Sequence, residues 1–115
     1  MLKVRIFVKN ENVYKDDNVF IDVQLPSVPR KGETIFLSEE SYAELESKAK
    51  GNLEIAKRYA PKWFYGESFS VETPTEKDLD NLSFGDMMYV CDVFYIANNE
   101  IVNVIMDDKR EVDYV

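Results

Sequence analysis

The sequence predicts an α+β domain: a small antiparallel, strongly bent sheet or partial barrel, with one main helix inserted between strands. Three observations predict it. Apolar residues alternate at both ends of the chain with the period of two that strands need. One central stretch, about residues 39–60, instead carries apolar residues three and four apart, the spacing of a helix. Proline and glycine punctuate the boundaries between these stretches.

Leu2, Val4, Ile6 and Val8 alternate with Lys3, Arg5, Phe7 and Lys9. Val19, Ile21, Val23 and Leu25 alternate with Phe20, Asp22 and Gln24. These two strands are expected to pair as an antiparallel hairpin, since Asn10-Glu11-Asn12 and Asp16-Asp17-Asn18 supply turn chemistry between them. Pro26 and Pro29 end the second strand, because proline cannot donate to a ladder. Arg30-Lys31-Gly32-Glu33 reads as a turn with Gly32 at positive φ. A short third strand, Thr34 to Leu37, is expected to follow.

In the central helix, Tyr42, Leu45, Ala49, Leu53, Ala56 and Ala60 form one apolar stripe. Ser41 with Glu44 spells a capping box, and Ser38 is the rival cap one turn earlier. Gly51-Asn52 marks a kink, and Pro61 is expected to stop the helix. Phe69-Ser70-Val71 predicts a short strand, and Thr75 to Leu82 a short acidic helix. The strongest strand signal is last. Met87 to Ile96 and Ile101 to Met106 are dense in β-formers and flank Ala97-Asn98-Asn99-Glu100, a hairpin turn. The segment 108–115 is expected to fray.

The chain of 115 residues reads as one domain, with 7 Phe, 7 Tyr and 1 Trp to build its core. It has 1 Cys and no His, so no intramolecular disulfide and no Ser-His-Asp or Cys-His arrangement can form within it. Cys91, inside an apolar run, is expected to be a small buried hydrophobe. No apolar run is long enough to cross a membrane, and the alternating N-terminus is unlike a signal peptide, so a cytoplasmic setting is expected.

The formal net charge is −8, and it is uneven. Residues 1–65 carry 11 Lys/Arg against 10 Asp/Glu, and residues 66–115 carry 3 against 12. Such a balance disfavours nucleic acid and anionic lipid as partners and favours proteins. The paired acids Asp16-Asp17, Glu39-Glu40 and Asp107-Asp108 lack accompanying ligands at useful spacing. No phosphate loop, dinucleotide fingerprint or nucleophile motif is present in the sequence, so no cofactor, metal or catalytic residue is assigned.

The segment Leu25 to Ile35, together with Tyr89 to Tyr95 and the return Ile101 to Ile105, resembles short uncharacterised bacterial and phage proteins with a small SH3-like β-barrel. In those a P-x-x-G-D/E turn leads into a strand and a distal hairpin closes the barrel. The long segment 38–86 departs from that pattern. The resemblance implies an architecture and a bacterial or phage setting, and no activity.

Four aromatics are candidate partner contacts: Tyr59, Trp63, Phe64 and Tyr65. They read either as anchors for a partner or as a plug of the helix end against the sheet. Arg30 and Lys31 are candidates for holding an anion at their turn. Pro26 to Arg30 spells a PxxP-R ligand, better explained as a strand exit. Met87 to Ile96 is apolar on both faces except at Asp92, which points to double coverage or to a homodimer.

The expected function is therefore a non-enzymatic protein-interaction module whose partner is another protein or a second copy. One alternative is an acidic inhibitor or immunity-type protein that neutralises a basic partner. The other is a small carboxylate enzyme built on Asp92, whose pKa burial would raise.

Overall fold

The computed structural model describes residues 1–10, 13–14, 18–63 and 82–109, with the side chains of Leu53, Ala60, Pro61 and Lys62 left aside. The expected strand at Phe69–Val71, most of the acidic helix at 75–82, and the tail from 110 onward lie outside these residues.

The fold is α+β. Two strands, β1 (Leu2–Val8) and β2 (Phe20–Leu25), are followed by two helices, α1 (Glu39–Lys50) and α2 (Leu53–Trp63). Two more strands follow, β3 (Tyr89–Tyr95) and β4 (Val102–Asp107). All four strands form one sheet in the order β2-β1-β4-β3.

β1 and β2 pair antiparallel, with Leu2 opposite Leu25 and Phe7 opposite Phe20, as the alternation predicts. β3 and β4 form the second antiparallel hairpin. Its turn uses Asn98 at φ 67°, and Asn99 N–H bonds to Ile96 O at 3.1 Å. The two hairpins meet through β1 and β4, which run parallel, Val4 facing Val102 and Val8 facing Met106. The sheet is thus mixed, where an antiparallel one was expected. Periodicity fixes which residues share a face but not the relative direction of two hairpins joined by about 60 intervening residues.

The turn at residues 30–33 forms as read, closed by Glu33 N–H to Arg30 O at 3.1 Å, with Gly32 at φ 84°. The expected third strand shrinks to one bridge, Thr34 opposite Tyr89. Around it, Gly32 N–H bonds to Val90 O, Val90 N–H to Glu33 O and Ile35 N–H to Met88 O, at 2.8–2.9 Å. The chain therefore leaves the sheet at the outer strand β2 and rejoins it seven residues later beside the other outer strand, β3.

The helical stretch splits where Gly51-Asn52 interrupts it. Ser38 is the cap of α1, its hydroxyl accepting from Ser41 N–H at 3.1 Å, so the earlier of the two candidate starts is used. Gly51 caps the end of α1, its N–H bonding to Ser47 O at 3.0 Å. Asn52 opens α2: its side-chain oxygen accepts from Glu54 N–H at 2.9 Å and its carbonyl from Ala56 N–H at 2.9 Å. Pro61 does not stop α2, which runs on to Trp63. A proline in the last turn forfeits one backbone bond, and burial of Trp63 offsets that loss.

The main core lies between the helices and one face of the sheet. Val4, Ile6, Val8, Ile21, Val104 and Met106 meet Leu45, Ala49, Tyr59 and Trp63 there. Leu82, Phe84 and Met87, on the return from α2, complete it. A smaller core of Val13, Cys91 and Ile105 sits on the opposite face, with Phe7 and Phe94 packed against it. All six residues of β4 are buried as a result. Double coverage is arranged within one chain, because the β1–β2 connection lays Val13 over the second face. The strand read as apolar on both faces, β3, lies instead at the edge of the sheet: Val90 and Cys91 are buried, and Tyr95 is exposed.

Candidate functional site: the outer sheet face

A strip of rings crosses the face of the sheet turned away from the helices. Phe20 on β2, Phe7 on β1 and Phe94 on β3 are half-buried, and Tyr14, from the β1–β2 connection, is 64% exposed. Ring centroids lie 5.7 Å apart for Phe7–Phe20, 5.9 Å for Phe7–Phe94 and 5.5 Å for Tyr14–Phe94. The strand pattern places Phe7 and Phe20 outward, since Val4, Ile6 and Ile21 must face the main core.

Phe94 reaches the same face through a bulge. The β3–β4 register shifts between Val90 and Asp92, so Val90 and Val93 both face the main core while Asp92 and Phe94 turn outward. Strict alternation puts Phe94 with Val90, and Met87 with Cys91. The bulge breaks that parity, and Met87 precedes the strand and enters the main core.

Ionic groups close both ends of the strip. At the Phe20 end, Arg5 grips Asp22 with two bonds of 2.9 and 3.3 Å, and Lys3 lies 3.7 Å from the same carboxylate. Arg5 also sits over the Phe20 ring, 4.1 Å from its centroid, with the Lys48 ammonium at 5.4 Å. Arg5 holds the Asp22 carboxyl below its ordinary value, against the upward push of partial burial, and Lys3 adds to the lowering.

At the other end, the Tyr14 hydroxyl donates to the Asp92 carboxylate. Val93 N–H donates to it at 2.9 Å, and Lys31 Nζ lies 3.4 Å away. Partial burial pushes the Asp92 carboxyl up, but the Tyr14 hydroxyl, the Val93 N–H and the Lys31 ammonium outweigh it and hold the carboxyl below its usual range. The raised pKa expected for Asp92 is therefore corrected. A phenol, an amide and an ammonium surround it, as befits an ion-pair anchor. Donation to this carboxylate, aided by burial and the nearby negative charge, holds Tyr14 in its neutral form and pushes its pKa up to about 12.

The Tyr14–Asp92 contact clasps the β1–β2 connection over the smaller core, and Cys91 lies beneath it, 8% exposed. Tyr14→Phe is expected to loosen the clasp and to speed modification of Cys91 by a thiol reagent. About fivefold is the factor that roughly 1 kcal/mol makes in a local opening equilibrium. An unchanged rate would mean that the clasp does not cover the thiol. The pH dependence of this region follows from the lowered carboxyls. Asp22 and Asp92 stabilise the fold above their unfolded pKa, and that stabilisation is lost as pH falls through their lower folded values. Solvent screening keeps each contribution small, below about 1 kcal/mol.

The structure separates the residues that sequence reasoning had grouped. Tyr59 and Trp63 are 0% exposed and belong to the main core, the plug of the helix end against the sheet. Phe64 and Tyr65 lie outside the described residues. Arg30 is exposed, and Lys31 Nζ lies 3.4 Å from the carboxylate of Asp92. Of the acidic second half, residues 66–81 and 110–115 lie outside the described residues, so no acidic patch is assembled from them. Among the described residues, no group of three or more His, Cys, Asp or Glu is placed to hold a metal, and no helix is long and apolar enough to cross a membrane.

Sequence reasoning missed Phe7, Phe20, Phe94 and Tyr14. One signal was present: large aromatics at the polar positions of two alternating strands, Phe7 beside Lys3 and Arg5, and Phe20 beside Asp22 and Gln24. No protein-family model, curated protein or solved structure matches the chain.

Proposed function

We propose that this chain is a protein-interaction module and that the outer sheet face is its contact surface. One observation carries the reading: four rings form a continuous strip across the face opposite the helices, framed at both ends by ion pairs. Aromatic side chains with a polar rim are the composition of binding hot spots, because rings bring large apolar area at small entropic cost. The ion pairs suit recognition better than proton transfer, since both carboxyls are held ionised by cations and hydrogen bonds.

The test begins with the mass in solution by light scattering at two salt concentrations, which separates self-association from binding of another protein. The full chain and a Phe20→Ser/Phe94→Ser variant, shown by circular dichroism to be folded, are then compared as baits in native lysate. A protein, or a self-association, seen with the parent chain is expected to fall at least tenfold with the variant. Equal capture by both would remove the sheet face from the binding surface.

A further inference from the structure

We infer that the outer sheet face receives an extended segment of a partner protein that lays apolar or aromatic side chains on Phe7 and Phe94 and places a carboxylate at the Phe20 end. The inference rests on the reading of this face as a contact surface and adds the chemistry of what binds there. Charge argues for the carboxylate. At the Phe20 end, Lys3, Arg5 and Lys48 gather around two carboxylates, Asp22 and Glu44, the latter 4.0 Å from Lys48. This local surplus of positive charge occurs on a chain whose formal net charge is −8. The Lys3 and Lys48 side chains are 53% and 44% exposed, so a carboxylate from outside can reach both ammonium groups.

Spacing argues for an extended segment. Side chains i and i+2 of an extended chain project on one side about 6.8 Å apart. The ring centroids are 5.5–5.9 Å apart, so alternate side chains settle along the strip nearly in step with its rings. Single-stranded nucleic acid also stacks on aromatic sheets, but it needs open ring faces. Here the Arg5 guanidinium covers one face of Phe20, and Phe7 is flanked by tilted neighbours at 52° and 31°. The strip offers ring edges and a continuous apolar surface, which fits aliphatic and aromatic side chains better than bases.

A random 12-residue peptide library displayed on phage, selected against the full chain, tests this. The enriched peptides are expected to carry Asp or Glu within three residues of Phe, Tyr, Trp or Leu. Their affinity is expected to fall at least tenfold for Lys3→Glu/Lys48→Glu, and again for Phe20→Leu, two variants that leave the core untouched. Peptides without acids that ignore the charge reversal but lose affinity with Phe20→Leu would overturn the acidic partner and leave the contact surface standing. No enrichment, or peptides indifferent to every variant, would overturn both. A 12-mer of oligo(dT) that binds more tightly than the best peptide and displaces it would overturn the inference in favour of nucleic acid.

Discussion

Replacing Trp63 by Ala is expected to destabilise the fold by about 3–5 kcal/mol, a large share of the roughly 5–15 kcal/mol that holds a domain of this size. Trp63 is fully buried at the end of α2 and meets Phe84 edge to face, 5.5 Å between centroids at 88°. Phe84 in turn meets Tyr59 at 5.6 Å and 68°. Removing the indole takes away one end of this stack of rings, which leaves Phe84 without this edge-to-face partner and opens a cavity in the core. A second loss accompanies it. The indole N–H donates to Lys9 O at 2.7 Å, tying the end of β1 to α2. Trp63→Phe, which keeps much of the volume but drops that bond, is expected to cost less, about 1–3 kcal/mol. Urea unfolding followed by far-ultraviolet circular dichroism measures both variants, since Trp63 is the only tryptophan and takes the fluorescence probe with it. A loss below about 1 kcal/mol in Trp63→Ala would return this residue to the surface.

The burial of Trp63 bears on what the sequence could disclose. The four strands of the sheet and the turns at Gly32 and Asn98 were legible, because alternation and the Asn and Gly turn residues are local signals. The break at Gly51-Asn52 was legible for the same reason. The parallel junction of β1 with β4 was not, since it is set by how two hairpins dock across the helices. The strip of rings on the outer face was not either. It needs that junction to bring Phe7 towards Phe94, and it needs the bulge between Val90 and Asp92 to turn Phe94 outward. A bulge shifts every later residue of its strand by one face while leaving hydrophobicity unchanged. Three aromatics adjacent in sequence drew attention to the helix end. Four aromatics from two strands, a loop and a bulged strand form the exposed strip.

Above pH 10 the fold is expected to lose stability steeply, and Tyr59 is the group that links proton loss to unfolding. Tyr59 is 0% exposed, and burial pushes its pKa up to about 12. Its hydroxyl accepts from Val19 N–H at 3.0 Å and lies 3.4 Å from Asn18 Oδ1, which also accepts from Asn10 Nδ2 at 2.8 Å. Asn18 Nδ2 donates in turn to Val13 O at 3.0 Å, so the phenol anchors the connection that carries Tyr14 and the smaller core. A tyrosine whose folded pKa exceeds its unfolded one, about 10, stabilises the fold fully below pH 10. That stabilisation disappears as pH rises from 10 through 12. At about 1.4 kcal/mol per pKa unit it amounts to at most about 3 kcal/mol. Tyr14 acts in the same direction, but its exposure lets solvent screen most of its share. Tyr59→Phe separates the two. At pH 7 it is expected to cost about 1–3 kcal/mol, because it leaves the Val19 N–H without its acceptor. Between pH 10 and 12 it is expected to lose much less further stability than the parent chain. Urea midpoints measured across that range decide the matter. Parallel decline of the two proteins would show that Tyr59 is not the linked group, and with that the anchoring of the β1–β2 connection by a buried neutral phenol would fall.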